Sequence, residues 1–272
     1  MIRRALWMCT LAGCSGGFPD YSNVNVLSVM AIVAEPPEVP STGARTTLTV
    51  TAYDPADRSI RTDWSLCTLK PNAAQTFNPD CVTDNGDHLL MLGSGQQIIA
   101  TLPTLDPSGL VPDGTDGVYA TIRADVAAGS DRIIAIYRLR IHLFGRPNQN
   151  PFLTDILFDC PAGTGGCEML QDDRAVHAGE SHVLNSLFSF DSAEEYVVFD
   201  IGQQKPVAVT EALSVAWFAT AGTFSDHTTD SSTPTTTWTL DANQPPGQVF
   251  MWGVGRDERG GTSVLQKTLM VQ

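Results

Sequence analysis

Lysine is scarce in this 272-residue chain, which has only Lys70, Lys205 and Lys267 and a net charge of −14. A surface this acidic repels phosphate groups, so nucleic acid is excluded as the main ligand. Long apolar runs are also missing, because no stretch of the chain approaches the ~18 consecutive apolar residues that a transmembrane helix needs. Any attachment to a membrane must therefore depend on something other than a spanning helix.

Recognisable catalytic motifs are missing too. The chain lacks the H-E-x-x-H pattern that presents two zinc ligands on one helical face, and beyond Gly17 it lacks the G-x-S-x-G turn that exposes a nucleophilic serine. The acidic stretch from Asp106 to Asp116 lacks the residue order of a known calcium loop, and we interpret it as solvated turns. We expect a protein that is not an enzyme and holds no metal or cofactor. The alternative is a secreted hydrolase whose active site is assembled from scattered residues.

The first feature that points to a function is a predicted signal sequence at residues 1–13. Two arginines there precede a short apolar run that ends in small residues. The run closes on Leu-Ala-Gly followed by Cys14, which resembles the lipobox of bacterial lipoproteins. The resemblance implies cleavage before Cys14, acylation of that cysteine, and attachment to the outer membrane because Ser15 rather than aspartate follows. An ordinary signal peptide with a chance cysteine is the alternative.

The rest of the chain alternates apolar and polar residues with a period of two, and no window shows a capped helical stripe, so we predict an all-β fold. Residues 118–126 and 133–144 give the clearest hairpin. The predicted strands are 26–34, 47–52, 60–67, 98–102, 118–126 and 133–144, then 152–158, 183–190, 196–201, 213–218, 235–240, 249–254 and 263–271.

The organisation we predict is a tether at residues 14–25, a first domain at 26–144, a linker at 145–151 and a second domain at 152–272. The linker has two prolines and a glycine and offers little to bury, so we expect an exposed backbone there. The two halves also share an outline, since each has a tryptophan, Trp64 or Trp217, in its third or fourth strand and ends on a long strand pair. This is a weak internal repeat, typical of two copies of one sandwich.

Two segments of the second half resemble a known family. Trp217–Phe224 and Val254–Gly261 are similar to the third strand and the last turn of PKD-like and related Ig-like domains, which recur in exported bacterial lipoproteins. The resemblance covers residues 152–272, and 26–144 only in outline. It implies two tandem Ig-like β-sandwich domains, the second of them PKD-like.

Six cysteines are present, of which Cys9 would leave with the signal peptide and Cys14 would carry lipid. The other four are Cys67, Cys81, Cys160 and Cys167. One pair falls in each half and an exported protein meets oxidising conditions, so we predict the disulfides Cys67–Cys81 and Cys160–Cys167. Crossed pairs, free thiols or a zinc site are the alternatives, although the spacings are not those of structural zinc.

A binding role fits these features. We expect a non-catalytic binding or scaffolding module, held at the bacterial envelope through the acyl chains on Cys14, whose partner is an envelope protein or a glycan. The candidate recognition loops are 104–117 and 225–234, which are rich in Asp, Ser, Thr and Gly. Trp238 and Trp252 would serve a glycan by stacking if they were exposed, although buried sandwich tryptophans are the more economical interpretation.

Overall fold

The computed structural model describes residues 21–40, 43–69, 78–84, 86–103, 117–142, 146–160, 166–200, 202–232 and 234–272. The predicted signal peptide, Cys14 and most of loop 104–117 lie outside these ranges. Within them the regular structure is twenty strands and one four-residue helix, which confirms the all-β fold class. No helix of the described part is long and apolar enough to cross a membrane.

The first half forms two facing sheets. One has the strand order β1-β3-β6, and the other has the order β2-β8-β7-β4-β5. A short helix, α1, lies between β4 and β5. The elements are β1 (Ser28–Glu35), β2 (Glu38–Val39), β3 (Arg45–Tyr53), β4 (Ile60–Cys67), α1 (Asp80–Thr83), β5 (Leu89–Ser94), β6 (Gln97–Thr101), β7 (Gly117–Ala128) and β8 (Asp131–His142).

The second half repeats this arrangement with additions. Its sheets have the orders β10-β9-β12-β18-β16 and β11-β20-β19-β15-β17, and β13 and β14 form a separate two-stranded sheet. The strands are β9 (Leu153–Phe158), β10 (Glu168–Met169), β11 (Arg174–Val176), β12 (Ser181–Phe188), β13 (Glu195–Asp200), β14 (Lys205–Thr210), β15 (Ser214–Ala219), β16 (Thr223–Phe224), β17 (Thr228–Asp230), β18 (Thr235–Thr239), β19 (Gly247–Arg256) and β20 (Thr262–Val271).

Both halves have the strand order of an immunoglobulin-like sandwich. In that fold the first, second and fifth strands share one sheet, and the third, sixth and seventh share the other. The sets β1-β3-β6 and β8-β7-β4 satisfy this rule in the first half, as do β9-β12-β18 and β20-β19-β15 in the second. In each half a short strand also runs parallel to the last strand: β2 beside β8, and β11 beside β20. The internal repeat is therefore a repeat of topology.

The two cores follow from the alternation of the sequence. In β7 the apolar side chains Val118, Ala120 and Ile122 are buried, and their partners in β8 close the same core. Trp64 in β4 and Trp217 in β15 are both 0% exposed and hold equivalent positions in the third strand of their sandwiches. A buried tryptophan on that strand is typical of immunoglobulin-like domains.

The two sandwiches pack side by side along their length. Apolar residues of β1, among them Met30, meet Trp252 and Val254 of β19 in a third apolar cluster. The ring of Tyr53, which pairs with the beginning of β1, lies 5.4 Å from the ring of Trp252. At the other end of β1, Asn150 donates a hydrogen bond to the carbonyl oxygen of Ala34 (2.7 Å). Strand β1 thus contacts the second sandwich around Met30 and the linker at Ala34.

The region predicted as an exposed linker is exposed at Arg146, Pro147 and Gln149 but not at Asn148. The side chain of Asn148 is buried, its backbone N–H donates to Glu38 (2.9 Å), and its amide donates to Asp257 (3.0 Å). The backbone N–H of Thr262 in turn donates to Asn150 (2.8 Å). Asparagine in a proline-bearing stretch is typical of a solvent-exposed segment. Here, however, the side-chain amides of Asn148 and Asn150 form hydrogen bonds with polar groups of both sandwiches.

Candidate binding site

An extra hairpin interrupts the second sandwich. Strands β13 and β14 pair from Glu195 opposite Thr210 to Asp200 opposite Lys205, between β12 and β15. This connection joins the second and third strands of the immunoglobulin-like order, a position where a loop at the end of the sandwich often carries recognition. The sequence predicted β13 but missed β14. The apolar residues Val207 and Val209, two positions apart, are the sequence pattern that indicates this strand. Pro206 and the nearby Gln203 and Gln204 are more typical of a turn, and they hid that pattern.

The base of the hairpin is fixed to the turn between β19 and β20. The hydroxyl of Tyr196 donates to Glu258 (3.1 Å), and the guanidinium of Arg259 lies 4.9 Å from the centre of the Tyr196 ring. Burial, together with the hydrogen bond to Glu258, raises the pKa of the Tyr196 hydroxyl. The hairpin is therefore held in place by specific side-chain contacts rather than joined by a free loop.

A groove of about 340 Å³ opens between the hairpin base and the predicted recognition loop 225–234. Phe188 and Leu213 give it apolar surface, while Ser214 and Asp230 give it hydrogen-bonding groups. Its remaining lining residues are Asn185, Ser186, Ala193, Glu211, Ala212, Thr229, Ser231 and Pro234. A concave surface that is mostly apolar with a few polar groups is typical of binding sites.

Side-chain hydrogen bonds, one set of them from Thr236 in β18, hold the described residues of the recognition loop. The hydroxyl of Thr236 donates to the carbonyl oxygen of Asp226 (2.8 Å) and accepts from its N–H (3.1 Å). Asp230 accepts hydrogen bonds from both the N–H (2.7 Å) and the hydroxyl (2.6 Å) of Ser232. The groove therefore has a preformed wall, which reduces the entropy that a ligand would lose on binding.

Large apolar side chains are exposed close in sequence to the groove-lining residues Phe188 and Ala193. Phe190, in the segment that leads from β12 to the hairpin, is 99% exposed, and Val197 on β13 is 59% exposed. Exposed aromatic residues next to a pocket often anchor protein–protein contacts. By contrast, Trp238 and Trp252 are buried, with their indole N–H groups donating to Ala221 and Gln266. Neither of these tryptophans can stack on a sugar.

Among the residues that the structure describes, one pair is a geometric candidate for the hydrolase alternative. The hydroxyl oxygen of Ser22 lies 2.7 Å from Nδ1 of His227, a distance suited to a nucleophile and its base. Ser22 is only 1% exposed, however, so a substrate has no access to it. Among the described ranges, no group of three or more His, Cys, Asp or Glu side chains is arranged to hold a metal ion.

Both predicted disulfides are present. Cys67 at the end of β4 is bonded to Cys81 in α1, and Cys160 after β9 is bonded to Cys167 before β10. The first bond is supported by Arg123, whose guanidinium donates to the carbonyl oxygen of Cys81 (2.9 Å). The Cys67–Cys81 disulfide and the hydrogen bond from Arg123 together hold α1 against the first sandwich.

We expect non-reducing digestion and mass spectrometry to recover a peptide that links Cys67 to Cys81 and another that links Cys160 to Cys167. Replacing Cys67 and Cys81 together by serine should lower the free energy of unfolding by about 3 kcal/mol, because the open chain regains the entropy of a ~15-residue loop. Urea denaturation measures this loss. Alkylation of all four cysteines without prior reduction would contradict the pairing.

A buried polar network joins the sandwiches below the hairpin. Arg259 donates to Glu211 (2.5 Å) and to Glu194 (2.9 Å), and none of these three side chains is more than 8% exposed. On the first sandwich, Arg140 forms a buried ion pair with Glu38. Glu38, Glu194 and Glu211 are therefore each paired with a buried arginine.

Burial changes the acidity of two members of this network. It raises the pKa of the Asp257 carboxyl, although hydrogen bonds from Asn148 and from the N–H groups of Gly261 and Arg259 act in the opposite direction. Burial likewise raises the pKa of Glu211, and its hydrogen bond with Arg259 offsets this only in part. The folded protein therefore binds protons at these two sites more tightly than the unfolded chain does.

The contribution of Asp257 to stability should consequently fall as the pH rises from about 4, the ordinary pKa of an aspartate, through its raised pKa. The substitution Asp257→Asn keeps the shape of the side chain but removes its ionisable carboxyl. The free energy of unfolding should therefore depend less steeply on pH, and the remaining dependence in this range should include the contribution of Glu211. Urea unfolding between pH 4 and 8 measures it, with exposed Asp241→Asn as the control. An unchanged slope in Asp257→Asn would contradict the assignment.

Comparison with known proteins adds little beyond this geometry. No protein-family model matches the chain, and no curated protein matches it. Among solved structures the chain is similar to the D0-D1 domain of intimin, with 12% sequence identity, a TM-score of 0.24, and coverage of 89% of this chain and 98% of that chain. The assignment to immunoglobulin-like sandwiches therefore rests on the strand order described above.

Proposed function

We propose that this protein is a non-catalytic binding or scaffolding module of the bacterial envelope, attached to the outer membrane by acyl chains on Cys14. The observation that carries the binding role is the groove between the base of the β13–β14 hairpin and loop 225–234, and Phe190, two residues after the lining residue Phe188, adds an exposed ring. We also propose that the second sandwich is related to PKD-like domains. The segments that support this, Trp217–Phe224 and Val254–Gly261, cover β15–β16 and the turn between β19 and β20.

The partner we propose is a protein segment rather than a glycan. The groove offers apolar surface from Phe188 and Leu213, and Phe190 is available as an anchor outside it. The chain carries a net charge of −14, and Asp230 lies in the groove wall, so a segment with apolar and basic residues complements it best. A rigid sandwich that presents such a groove binds without having to order itself first.

The binding site is tested by site-specific crosslinking in the native host. A photoreactive amino acid at Val197 or at Ser231 should capture the same envelope protein, while one at Gln96, in the turn between β5 and β6, should not. With the captured protein purified, Phe190→Asp should weaken binding at least about tenfold, since aromatic anchors dominate interfaces. Met91→Asp is the matched control, because Met91 is 63% exposed on the first sandwich. Equal losses in both variants would count against this groove.

The anchor has its own prediction. Cys14→Ser should still allow export but prevent acylation, so the protein should move from the membrane fraction to the soluble fraction. Fractionation in high salt, with mass spectrometry of the N-terminal peptide, measures this. If the Cys14→Ser protein still sediments with membranes, the lipid attachment is wrong.

The hydrolase remains the competing function, and its test is separate. A broad screen of hydrolase substrates on the intact protein should show no turnover. Turnover that disappears in Ser22→Ala or His227→Ala would replace the binding role with catalysis.

A further inference from the structure

A second groove, which we call the edge groove, lies where the edge of the first sandwich meets the second sandwich. It has a volume of about 480 Å³ and is lined by residues 29–32 of β1, residues 135–138 of β8, and Arg256, Gly260 and Thr262 of the second sandwich. The hydroxyl of Tyr137 donates to the carbonyl oxygen of Gly260 (3.3 Å), which joins the two sandwiches here. Among the described residues, none lines both this groove and the one beside the hairpin, so it is a separate candidate site.

One wall of the edge groove is an unpaired strand edge. Strand β8 pairs with β7 along its length, while on its other side β2 pairs only with Arg140 and Ile141. In the part of the chain that the structure describes, no other strand pairs with β8, so this edge is open from Asp131 to Leu139. Alternate residues of a paired strand direct their N–H and C=O groups away from the partner, so the edge presents backbone donors and acceptors. An extended peptide can satisfy them by joining the sheet as a further strand.

The edge groove also contains two arginines that have no acidic partner among the described residues, Arg138 and Arg256. Every other arginine of the described ranges, apart from the exposed Arg45, forms an ion pair with a carboxylate. In a chain with a net charge of −14, carboxylates are abundant, yet none of them in the described ranges neutralises these two guanidiniums. The edge groove is therefore a locally positive site on an acidic protein.

The surroundings of the two guanidiniums favour a bound anion. The guanidinium carbon of Arg138 lies 3.8 Å from the centre of the Tyr119 ring, and this stacking restricts its position. Its buried Nε has no hydrogen-bond partner among the described residues, so the protein itself leaves this guanidinium unsatisfied. Desolvation lowers the pKa of Arg256, while Tyr21 acts in the opposite direction. A carboxylate bound beside Arg256 would stabilise its charged form.

We propose that the edge groove binds an extended acidic segment of a partner protein, which adds a strand to β8 and pairs its carboxylates with Arg138 and Arg256. Val29 and Ile136 give the groove apolar surface for the side chains that alternate with the acidic ones in such a strand. This charge preference is opposite to that of the hairpin groove, so the two sites take different segments. The inference depends neither on the acylation of Cys14 nor on the hairpin groove.

Fluorescence anisotropy with synthetic peptides tests the site on the intact, detergent-solubilised protein. The probe is a short fluorescent peptide, capped at both ends, in which valine and glutamate alternate. The same peptide with lysine in place of glutamate is its matched control. The glutamate peptide should bind saturably, and the lysine peptide should bind at least about tenfold more weakly, because it places like charges beside the arginines. No saturable binding of the glutamate peptide, or equal binding of both peptides, would overturn the inference.

Variants of the protein locate the binding. Arg138→Gln and Arg256→Gln should each weaken the binding of the glutamate peptide about tenfold or more, since a hydrogen bond between charged groups contributes at least that factor to affinity. Arg45→Gln is the matched control, because it removes an unpaired arginine outside the groove. Circular dichroism checks the fold of each variant, and Arg256→Gln remains a test if Arg138→Gln does not fold. An equal loss in Arg45→Gln would mean that the peptide responds to overall charge and would overturn the site.

Methylated peptides test the added strand. Methyl groups on the valine nitrogens remove the N–H donors of one edge of the extended peptide, and methyl groups on the glutamate nitrogens remove those of the other edge. Only one edge faces β8, so one methylated peptide should lose binding and the other should keep it. A loss in both, or in neither, would overturn strand addition. A protein dimer that the glutamate peptide dissociates, detected by light scattering, would mean that a second copy of the chain occupies the groove and would overturn the proposed partner.

Discussion

Arg259→Ala is expected to lower the free energy of unfolding by about 3–5 kcal/mol, because removing one partner of a buried ion pair leaves an uncompensated charge in a desolvated site. Here two carboxylates, Glu194 and Glu211, would lose their arginine, and both are at most 8% exposed. The variant should also release the hairpin base, since the guanidinium lies against the ring of Tyr196. Urea denaturation gives the stability, and hydrogen exchange of the β13 and β14 backbone amides reports on the hairpin.

Arg146→Ala is the matched control for this prediction. Arg146 also lies near Glu194 (3.6 Å), but its side chain is 73% exposed, so we expect a change of about 0–1 kcal/mol. If Arg259→Ala were as mild as Arg146→Ala, the network would contribute no more to stability than a surface ion pair does.

Trp217→Ala should destabilise the protein by about 3–5 kcal/mol, the range for removing a large aromatic side chain from a core. Trp217 is fully buried at the centre of the second sandwich, and its indole N–H donates to the hydroxyl of Thr229 (2.9 Å). Its loss opens a cavity and leaves that hydroxyl without its partner. Thermal and urea unfolding measure the change.

Trp217→Phe serves as the comparison, because it keeps an aromatic ring but loses the hydrogen bond and part of the volume. It should cost clearly less than the alanine variant. Phe218→Ala, in the neighbouring and only half-buried position, should also cost less. Equal effects for Trp217→Ala and Phe218→Ala would mean that the tryptophan is not the centre of the core.

Strands with a local signal were predictable from the sequence. Strand β4 was predicted at 60–67 and has those bounds, and β7 and β8 follow the alternation predicted for 118–126 and 133–144. In these segments the chain itself carries the information, because alternate residues are apolar and Gly129 supplies the positive φ that the connecting turn requires. The pairing of the cysteines was also predictable, since only one pair falls in each half.

The parts that depend on distant contacts were not predictable. Strand β14 begins with Lys205 and Pro206, which are typical of loops, and only the pairing with β13 makes it a strand. Asn148 belongs to a stretch of turn-forming residues, and its burial depends on Glu38 and Asp257, each more than 100 positions away in the chain. Local sequence patterns indicate which face of a strand is apolar. They do not indicate a hydrogen-bond partner that is so distant in the sequence.

The side-by-side packing of the sandwiches also has a mechanical consequence. Two such domains joined end to end would form a stalk twice as long as one of them, and a pull on its tip would bend it at the linker. Here β1 packs against β19 and β20, and the linker side chains are bonded into both bodies. The second sandwich therefore increases the width and stiffness of the molecule instead of its length. The molecule should bend little under a sideways force.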